Sequence, residues 1–461
     1  MVSGKLREVI VPRVQSMQRI RAIIRNQMMI RFLNAIGALM LACGPYFLEK
    51  GQAQTVIQID TRAVIKGTLP RGAASVNLCW LLDSDRHRPR PISMRQALKE
   101  LGVGSLRFPY GHLADNYLWH TPPFNDAAKG LRPRIACSGQ APAKWSWAVN
   151  PDGSFNKAMD FDEYMALCAE LDATPLVVVN ILSCRYKGGP AFSELKRSAV
   201  EWVKYARQRG YRVTFWQIGN EVDHHYDLLS REDYVRYYLE MAAGMKAVDP
   251  SIRVGPGILS KTGYFEAIVN HNPALIDFVS CHQYMFKYQK QCSSYRSWKE
   301  SKERFIENVI RMQQAVTRSN KPHLPILVTE TGISPANDVL GRINNAFKAL
   351  WWFEVLMNEL SVANVLYVYN WGTHSPWSGP ADRENNDAAV LLRLDTNERK
   401  PTAEVIRLVN TFLLKRLLKV SIMKGYVRAY ATDDHLSNHL NLFLLNKNDA
   451  TEEVTILFRH D

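Results

Sequence analysis

The chain has 461 residues, 46% of them hydrophobic and 22% charged, which is the composition of a folded globular protein and excludes a disordered or fibrous one. The net charge is +14, but residues 1–53 alone carry eight Lys/Arg against Glu8 and Glu49, and no arginine-rich run with interleaved aromatics marks a nucleic-acid partner. Seven cysteines are present, and none has the Cys/His spacing of a zinc site.

The N-terminal segment, residues 1–53, reads as a targeting element. A short apolar stretch, Phe32–Cys43, follows basic residues, and the small residues Gly51 and Ala53 precede a cut before Gln54. Leu39-Met-Leu-Ala-Cys43 also has the look of a lipidation site. Cleaved signal peptide and lipid or membrane anchor are both compatible with this pattern, and either implies a secreted or periplasmic protein. A membrane enters only through such an anchor. Export would permit disulfides; Cys79, Cys168 and Cys281 fall on core elements as buried thiols, while Cys281 and Cys292 are spaced to bridge a loop.

Residues 54–74 hold a strand at Thr55–Ile59, and from residue 75 strand and helix alternate. The strands are expected at Ser75–Trp80, Gly104–Phe108, Pro175–Asn180, Val213–Ile218, Ile252–Pro256, Asp277–His282, Leu324–Thr329 and Val365–Asn370. Several are nearly continuous apolar runs, as strands buried on both faces require. Helical periodicity separates them at Met94–Leu101, Phe161–Leu171, Ser193–Arg209, Asp233–Val248, Tyr264–Asn270, Trp298–Thr317 and Asn344–Leu360, with an eighth at Thr402–Leu417. Ser93, Asp160, Ser230 and Thr402 are placed to cap four of them. Eight strands with eight helices predict an α/β fold, a (β/α)8 barrel over residues 75–418. No glycine-rich phosphate loop follows the first strand, which argues against a doubly wound sheet. Residues 419–461 alternate as antiparallel strands, so the C-terminal segment and the N-terminal strand are expected to form a small accessory β-sheet or sandwich.

In a parallel barrel the chemistry sits at the C-terminal ends of the strands. Those ends carry Asp83, Arg107, Asn180, Asn220 with Glu221, His282 with Tyr284, Glu330 and Trp371. Glu221 and Glu330 close the fourth and seventh strands, 109 residues apart. Two carboxylates on one rim are what a retaining glycosidase uses, one as acid and then base, the other as nucleophile. Glu221 suits the proton donor, with a pKa expected to be raised by an apolar setting and by Glu330. Arg107 is suited to hold Glu330 ionised, and Tyr284 to donate a hydrogen bond to it. His282 fits a sugar hydroxyl or the acid/base, Asn220 the sugar 2-hydroxyl, Asn180 a further substrate contact, and Trp371 a platform for an apolar sugar face. Tyr110, Tyr117, Trp119, Trp145, Trp147, Tyr226 and Trp377 flank the set. Nothing in this constellation calls for a metal or another cofactor.

The ordered motifs Arg107-Phe-Pro-Tyr-Gly, Gly219-Asn220-Glu221, His282-Gln-Tyr284 and Thr329-Glu330-Thr-Gly332 resemble the retaining glycosidases of the large (β/α)8 clan. The nearest look is to α-L-arabinofuranosidases and their β-xylosidase and β-glucuronidase or heparanase relatives. That resemblance implies Glu221 as acid/base and Glu330 as nucleophile. Tyr110 departs from the Gly usual in the arabinofuranosidase strand-two motif. The implied partner is a polysaccharide or oligosaccharide. The basic loops Arg86–Arg90, Arg185–Lys187 and Lys287–Lys290 point to an anionic one. A non-hydrolytic carbohydrate-binding protein and a transglycosylase that processes exopolysaccharide are the competing readings.

Overall fold

A computed structural model describes residues 10–11, 19–24, 29–34, 55–119, 146–148, 150, 155–285, 288, 292, 294–333, 344–376, 390–423, 425–435 and 439–459. The chain divides into two compact units. One comprises residues 72–290 and 304–411, the other residues 1–71, 291–303 and 412–461.

The larger unit is the barrel. Its strands are β1 (Ala74–Asn77), β2 (Ser105–Phe108), β3 (Thr174–Val179), β4 (Phe215–Ile218), β5 (Arg253–Pro256), β6 (Val279–Tyr284), β7 (Ile326–Gly332) and β8 (Val365–Asn370). They are hydrogen-bonded in the order β6-β7-β8-β1-β2-β3-β4-β5, every pair parallel. Between β5 and β6 a side chain bridges the seam: Ser280 Oγ donates to the Pro256 carbonyl at 2.7 Å and accepts from Ile258 N at 3.0 Å. Leu176, Val178, Phe215, Phe278, Leu327 and Tyr369 fill the interior, so the barrel is a packed core.

The helices follow from capping and amphipathic spacing. They are α1 (Met94–Leu101), α2 (Phe161–Leu171), α3 (Phe192–Gln208), α4 (Arg231–Val248), α5 (Thr262–His271), α6 (Glu307–Arg318), α7 (Ala346–Leu360) and α8 (Pro401–Phe412). Ser93, Asp160 and Ser230 cap α1, α2 and α4, each side chain accepting from the backbone N–H three residues on. Thr402 lies inside α8, which begins one residue earlier.

Two expected helices change. Trp298–Thr317 divides into a short helix, Tyr295–Glu300, and α6, because residues 291–303 leave the barrel and join the smaller unit. There Tyr295 Oη donates to the Lys447 carbonyl at 3.0 Å, and the Lys447 ammonium sits 4.5 Å above the Trp298 ring. Thr402–Leu417 ends at Phe412, and Arg416–Ile422 is a strand. The barrel unit therefore runs to residue 411.

The smaller unit is built on one sheet. Thr55–Lys66 lies between Arg416–Ile422, antiparallel to it, and Glu452–Arg459, parallel to it. Val427–Asp434 and His439–Asn446 extend the sheet as a hairpin. Ile57, Ile59, Leu418, Val427, Leu442, Val454 and Ile456 form its core. Arg19–Ile24 and Met29–Asn34 pair with its outer strands. Most of the apolar stretch assigned to targeting lies outside the described residues. No described helix is long and apolar enough to cross a membrane. Cys79, Cys168 and Cys281 are free buried thiols, as expected, and the alternative of a bridge from Cys281 to Cys292 is not formed.

Rim loops of the barrel are tied to one another by buried polar groups. Asp115, after β2, accepts from Ile181 N at 3.4 Å and Leu182 N at 3.2 Å in the loop after β3, while its Oδ2 is buried without a partner. Burial pushes its pKa up to about 7, against the smaller opposing effect of the two N–H groups and Arg107. The folded protein holds this proton where the unfolded chain has lost it. The stabilisation is complete below the ordinary aspartate value and disappears as pH rises through about 7. Asp115→Asn should therefore flatten the fall of Tm between pH 4 and 7, measured by calorimetry. An unchanged slope would contradict this assignment.

Candidate active site

Arg107 is the third residue of β2 and is wholly buried in the barrel mouth. Nη1 donates to Asn77 Oδ1 at 2.7 Å and to Glu330 Oε1 at 2.9 Å. Nε donates to Gln217 Oε1 at 3.2 Å, and Nη2 to Asn220 Oδ1 at 2.6 Å. One guanidinium thus touches groups from β1, β4 and β7. A buried charge costs several kcal/mol unless it is paired and its hydrogen bonds are satisfied. Here every partner is an oxygen, and only Glu330 carries charge.

Glu330 lies within β7 and is almost wholly buried. Oε2 accepts from Tyr284 Oη, at the end of β6. Burial first, and then the neighbouring Glu330 charge, pushes the Tyr284 phenol well above its ordinary pKa, so it stays a donor. Gly111 closes the cradle. A Cβ at that position would stand 2.0 Å from Glu330 Oε1, so no other residue fits without moving the carboxylate.

Glu221 follows β4 in a left-handed backbone conformation, φ +47°. Its side chain is 19% exposed, the accessible member of the pair. His282 Nδ1 lies 2.7 Å from Glu221 Oε1 and Nε2 lies 3.1 Å from Thr329 Oγ1. Burial raises the Glu221 pKa, but the hydrogen bond and charge of His282, aided by His224 and His112, lower it further, and the net shift is downward. The expected elevation is therefore reversed by the residue that holds the carboxylate.

The donor atoms of Glu221, His282 and Glu330 all lie within 4.8 Å of one another. That spacing alone would suit a cation. Arg107 already supplies a positive charge 2.9 Å from Glu330, which disfavours a second one. The geometry is better suited to an acid and a nucleophile acting on one small group.

The other expected site residues divide. Asn220 gives its oxygen to Arg107 and leaves Nδ2 buried without a protein partner, an open donor beside the carboxylates. Trp371 follows β8, its ring 5.8 Å from that of Tyr110. Asn180 is committed to the scaffold: Nδ2 donates to the Asp115 carbonyl at 3.0 Å, and Oδ1 accepts from Ser183 Oγ at 2.7 Å. Asp83 is buried against His374, Oδ1 to Nδ1 at 2.6 Å. Among the flanking aromatics, Tyr117 and Trp119 are packed inside, Trp119 stacked on Trp202 at 5.4 Å, whereas Tyr226 is 64% exposed. Trp145 and Trp377 lie outside the described residues.

The basic loops are largely committed. Arg86 pairs with Asp160, Arg88 with the Lys157 carbonyl, Arg90 with the carbonyls of Leu82 and Leu394, and Arg185 with Asp233. Lys287 and Lys290 lie outside the described residues.

Sequence reasoning missed Asn77, the last residue of β1, Gln217, inside β4, both bonded to Arg107, and Gly111. It also missed His112, His224 and His225, which adjoin Glu221. The rings of His112 and His225 are 5.1 Å apart, and those of His224 and His225 are 5.2 Å apart. Burial lowers the pKa of His112 and His225, so both are neutral at neutral pH. The signal available was the His-His pair three residues after Glu221.

A family model for glycosyl hydrolases family 39 matches residues 198–359, the stretch from α3 to α7 that carries both glutamates. The intracellular exo-alpha-(1->5)-L-arabinofuranosidase of Acetivibrio thermocellus is 24% identical over 250 residues, 50% of this chain and 45% of that protein. The Bacillus subtilis intracellular exo-alpha-(1->5)-L-arabinofuranosidase 1 is 24% identical over 241 residues, 50% of this chain and 46% of its own length. The chain thus spans about half the length of the curated relatives it matches. In three dimensions it resembles the alpha-L-arabinofuranosidase of Thermotoga maritima (TM-score 0.59, 16% identity, 85% of each chain). It also resembles a family 39 beta-xylosidase from Caulobacter crescentus (TM-score 0.55, 19% identity, 82% of this chain and 79% of that one). The chain resembles (β/α)8 glycoside hydrolases of the arabinofuranosidase and xylosidase type.

Two variants probe the site directly. Gly111→Ala should lower kcat by about 100-fold or more, because it displaces the carboxylate rather than unfolding the barrel. Wild-type kcat with an unchanged circular dichroism spectrum would contradict the cradle. His282→Gln removes the influence that lowers the Glu221 pKa, so the basic limb of the kcat/KM–pH profile should move to higher pH. A shift to lower pH would contradict the pairing.

Proposed function

We propose that this chain is a retaining glycoside hydrolase that releases sugar residues from an oligosaccharide or polysaccharide through a covalent glycosyl-enzyme. The observation that carries the reading is that one oxygen of Glu221 and one of Glu330 lie within 4.8 Å of each other on one rim. Nearest oxygens this close suit the short carboxyl spacing of a retaining pair, about 5–5.5 Å, better than the about 6.5–9.5 Å that an inverting pair leaves for a water.

Each residue then has a task. Glu221 in its protonated form donates its proton to the glycosidic oxygen as the bond to the anomeric carbon breaks. Glu330, held by Arg107 and oriented by Tyr284, attacks that carbon from the opposite face and forms the ester. Asn220 Nδ2 is placed for the 2-hydroxyl, a contact that strengthens as positive charge grows on the ring. Glu221, now a base, removes a proton from water as the water displaces Glu330. Arg107 holds the nucleophile and the 2-hydroxyl donor in register. Because most of the basic loop side chains are committed to protein partners, the proposal does not require an anionic substrate.

Export is part of the proposal and rests on the basic leader with its apolar stretch; the matching curated relatives from Acetivibrio and Bacillus are named intracellular. Cleavage after Ala53 would remove the strands Arg19–Ile24 and Met29–Asn34, so the N-terminal sequence of the protein recovered from its own cells decides between export with and without cleavage.

Azide rescue tests the mechanism. Glu330→Gly should abolish turnover of an aryl glycoside and, with azide, give a glycosyl azide of inverted configuration. Glu221→Ala should lower turnover of poor leaving groups by about 10²–10⁴-fold and give an azide of retained configuration. Full activity in either variant would sink the assignment.

A further inference from the structure

In the eight-stranded ring, β8 stands opposite β4. Glu221 protonates the leaving group from the β4 side. The far end of the sugar, away from its anomeric carbon, therefore extends toward the rim formed by β8, β1 and β2. Tyr110, two residues after β2, stands in this sector with Trp371, which follows β8.

Tyr110 has φ +104°, a conformation ordinarily left to glycine, and its bulky side chain is nearly fully buried there. Such a backbone is strained for a residue with a side chain and persists only where the surroundings impose it. Three features impose it. Tyr110 Oη donates to the His374 carbonyl at 3.1 Å. Its ring lies against Trp371, 5.8 Å between centroids and tilted by 59°. Gly372 makes the room, since a Cβ there would come within 2.6 Å of the Tyr110 hydroxyl. His374 is itself fixed by Asp83 at 2.6 Å and by the Arg393 carbonyl at 3.2 Å. Gly111, the next residue, touches the Glu330 carboxylate. The phenol ring is thus anchored into the wall beside the nucleophile, at a position where the arabinofuranosidase-like motif has no side chain.

We infer that Tyr110 closes the remote end of the sugar subsite, so that the sugar cleaved is a pentose in its six-membered ring form, with no carbon outside the ring. This rests on the glycosidase reading. Xylopyranosyl and arabinopyranosyl groups meet the condition. Arabinofuranosyl, glucosyl and glucuronosyl groups carry one exocyclic carbon that would meet the phenol ring. Forcing an extra carbon into a packed wall costs about 1–3 kcal/mol, a discrimination of about 10- to 200-fold.

The experiment compares kcat/KM for aryl β-xylopyranoside, α-L-arabinopyranoside, α-L-arabinofuranoside, β-glucopyranoside and β-glucuronide. The proteins are wild type, Tyr110→Gly, Tyr110→Phe and Glu330→Gly. Wild type should favour a pentopyranoside by about tenfold or more over each sugar with an exocyclic carbon. Tyr110→Gly, which suits the backbone, should narrow that ratio by about tenfold, and Tyr110→Phe, which keeps the ring, should preserve it. Calorimetric binding of xylo- and gluco-configured iminosugars to wild type and Tyr110→Gly gives the same ratio without turnover. Wild-type preference for an exocyclic-carbon sugar, or an unchanged ratio in Tyr110→Gly by both measurements, overturns the inference and leaves the glycosidase reading standing. Wild type as inert as Glu330→Gly on all five overturns the glycosidase reading and the inference with it.

Discussion

A single buried cation organises the barrel mouth. The Arg107 guanidinium has no exposed surface, and its hydrogen bonds go to side chains from β1, β4 and β7. Its charge is tolerable inside the protein because Glu330 balances it and three amide oxygens complete the donor fork. The dependence runs both ways. Glu330 is held in place because Arg107 and Tyr284 bind its two oxygens, and Asn220 presents its amino group outward because Arg107 occupies its oxygen. Removing the arginine would leave a buried carboxylate and three orphaned acceptors, a larger loss than any one of these contacts.

Glu221 is built differently. It follows the strand rather than lying within it, it is partly exposed, and its partner is an imidazole rather than a guanidinium. An arginine cannot give up its proton, whereas a histidine can. The two carboxylates therefore differ in a way their sequence contexts do not reveal: one is paired with a fixed cation, and the other with a group able to exchange a proton. That asymmetry is what separates a nucleophile from an acid/base.

Strand positions were legible because parallel strands buried on both faces give apolar runs, and the runs ended close to where the strands end. Glu221 and Glu330 stood out for the same reason, each a charge directly after such a run. Asn77 and Gln217 were hidden, since a polar residue inside a strand gives no sign of facing the barrel centre. Gly111 was hidden because a glycine's role lies in what approaches it. The strand Arg416–Ile422 was absorbed into a helix because Leu413, Leu414, Leu417 and Leu418 continue a helical spacing past Phe412. The direction of the Glu221 shift was misjudged because burial and Glu330 were considered without His282, whose approach is visible only in three dimensions.

The most direct test of the double-displacement account is to trap its intermediate. Incubation with 2-deoxy-2-fluoro glycosides bearing a good leaving group, followed by peptide mass spectrometry, should place one fluorosugar on Glu330 and none on Glu221. A labelled Glu221 or another residue, or a product released with inverted configuration in a parallel proton NMR time course, would contradict it.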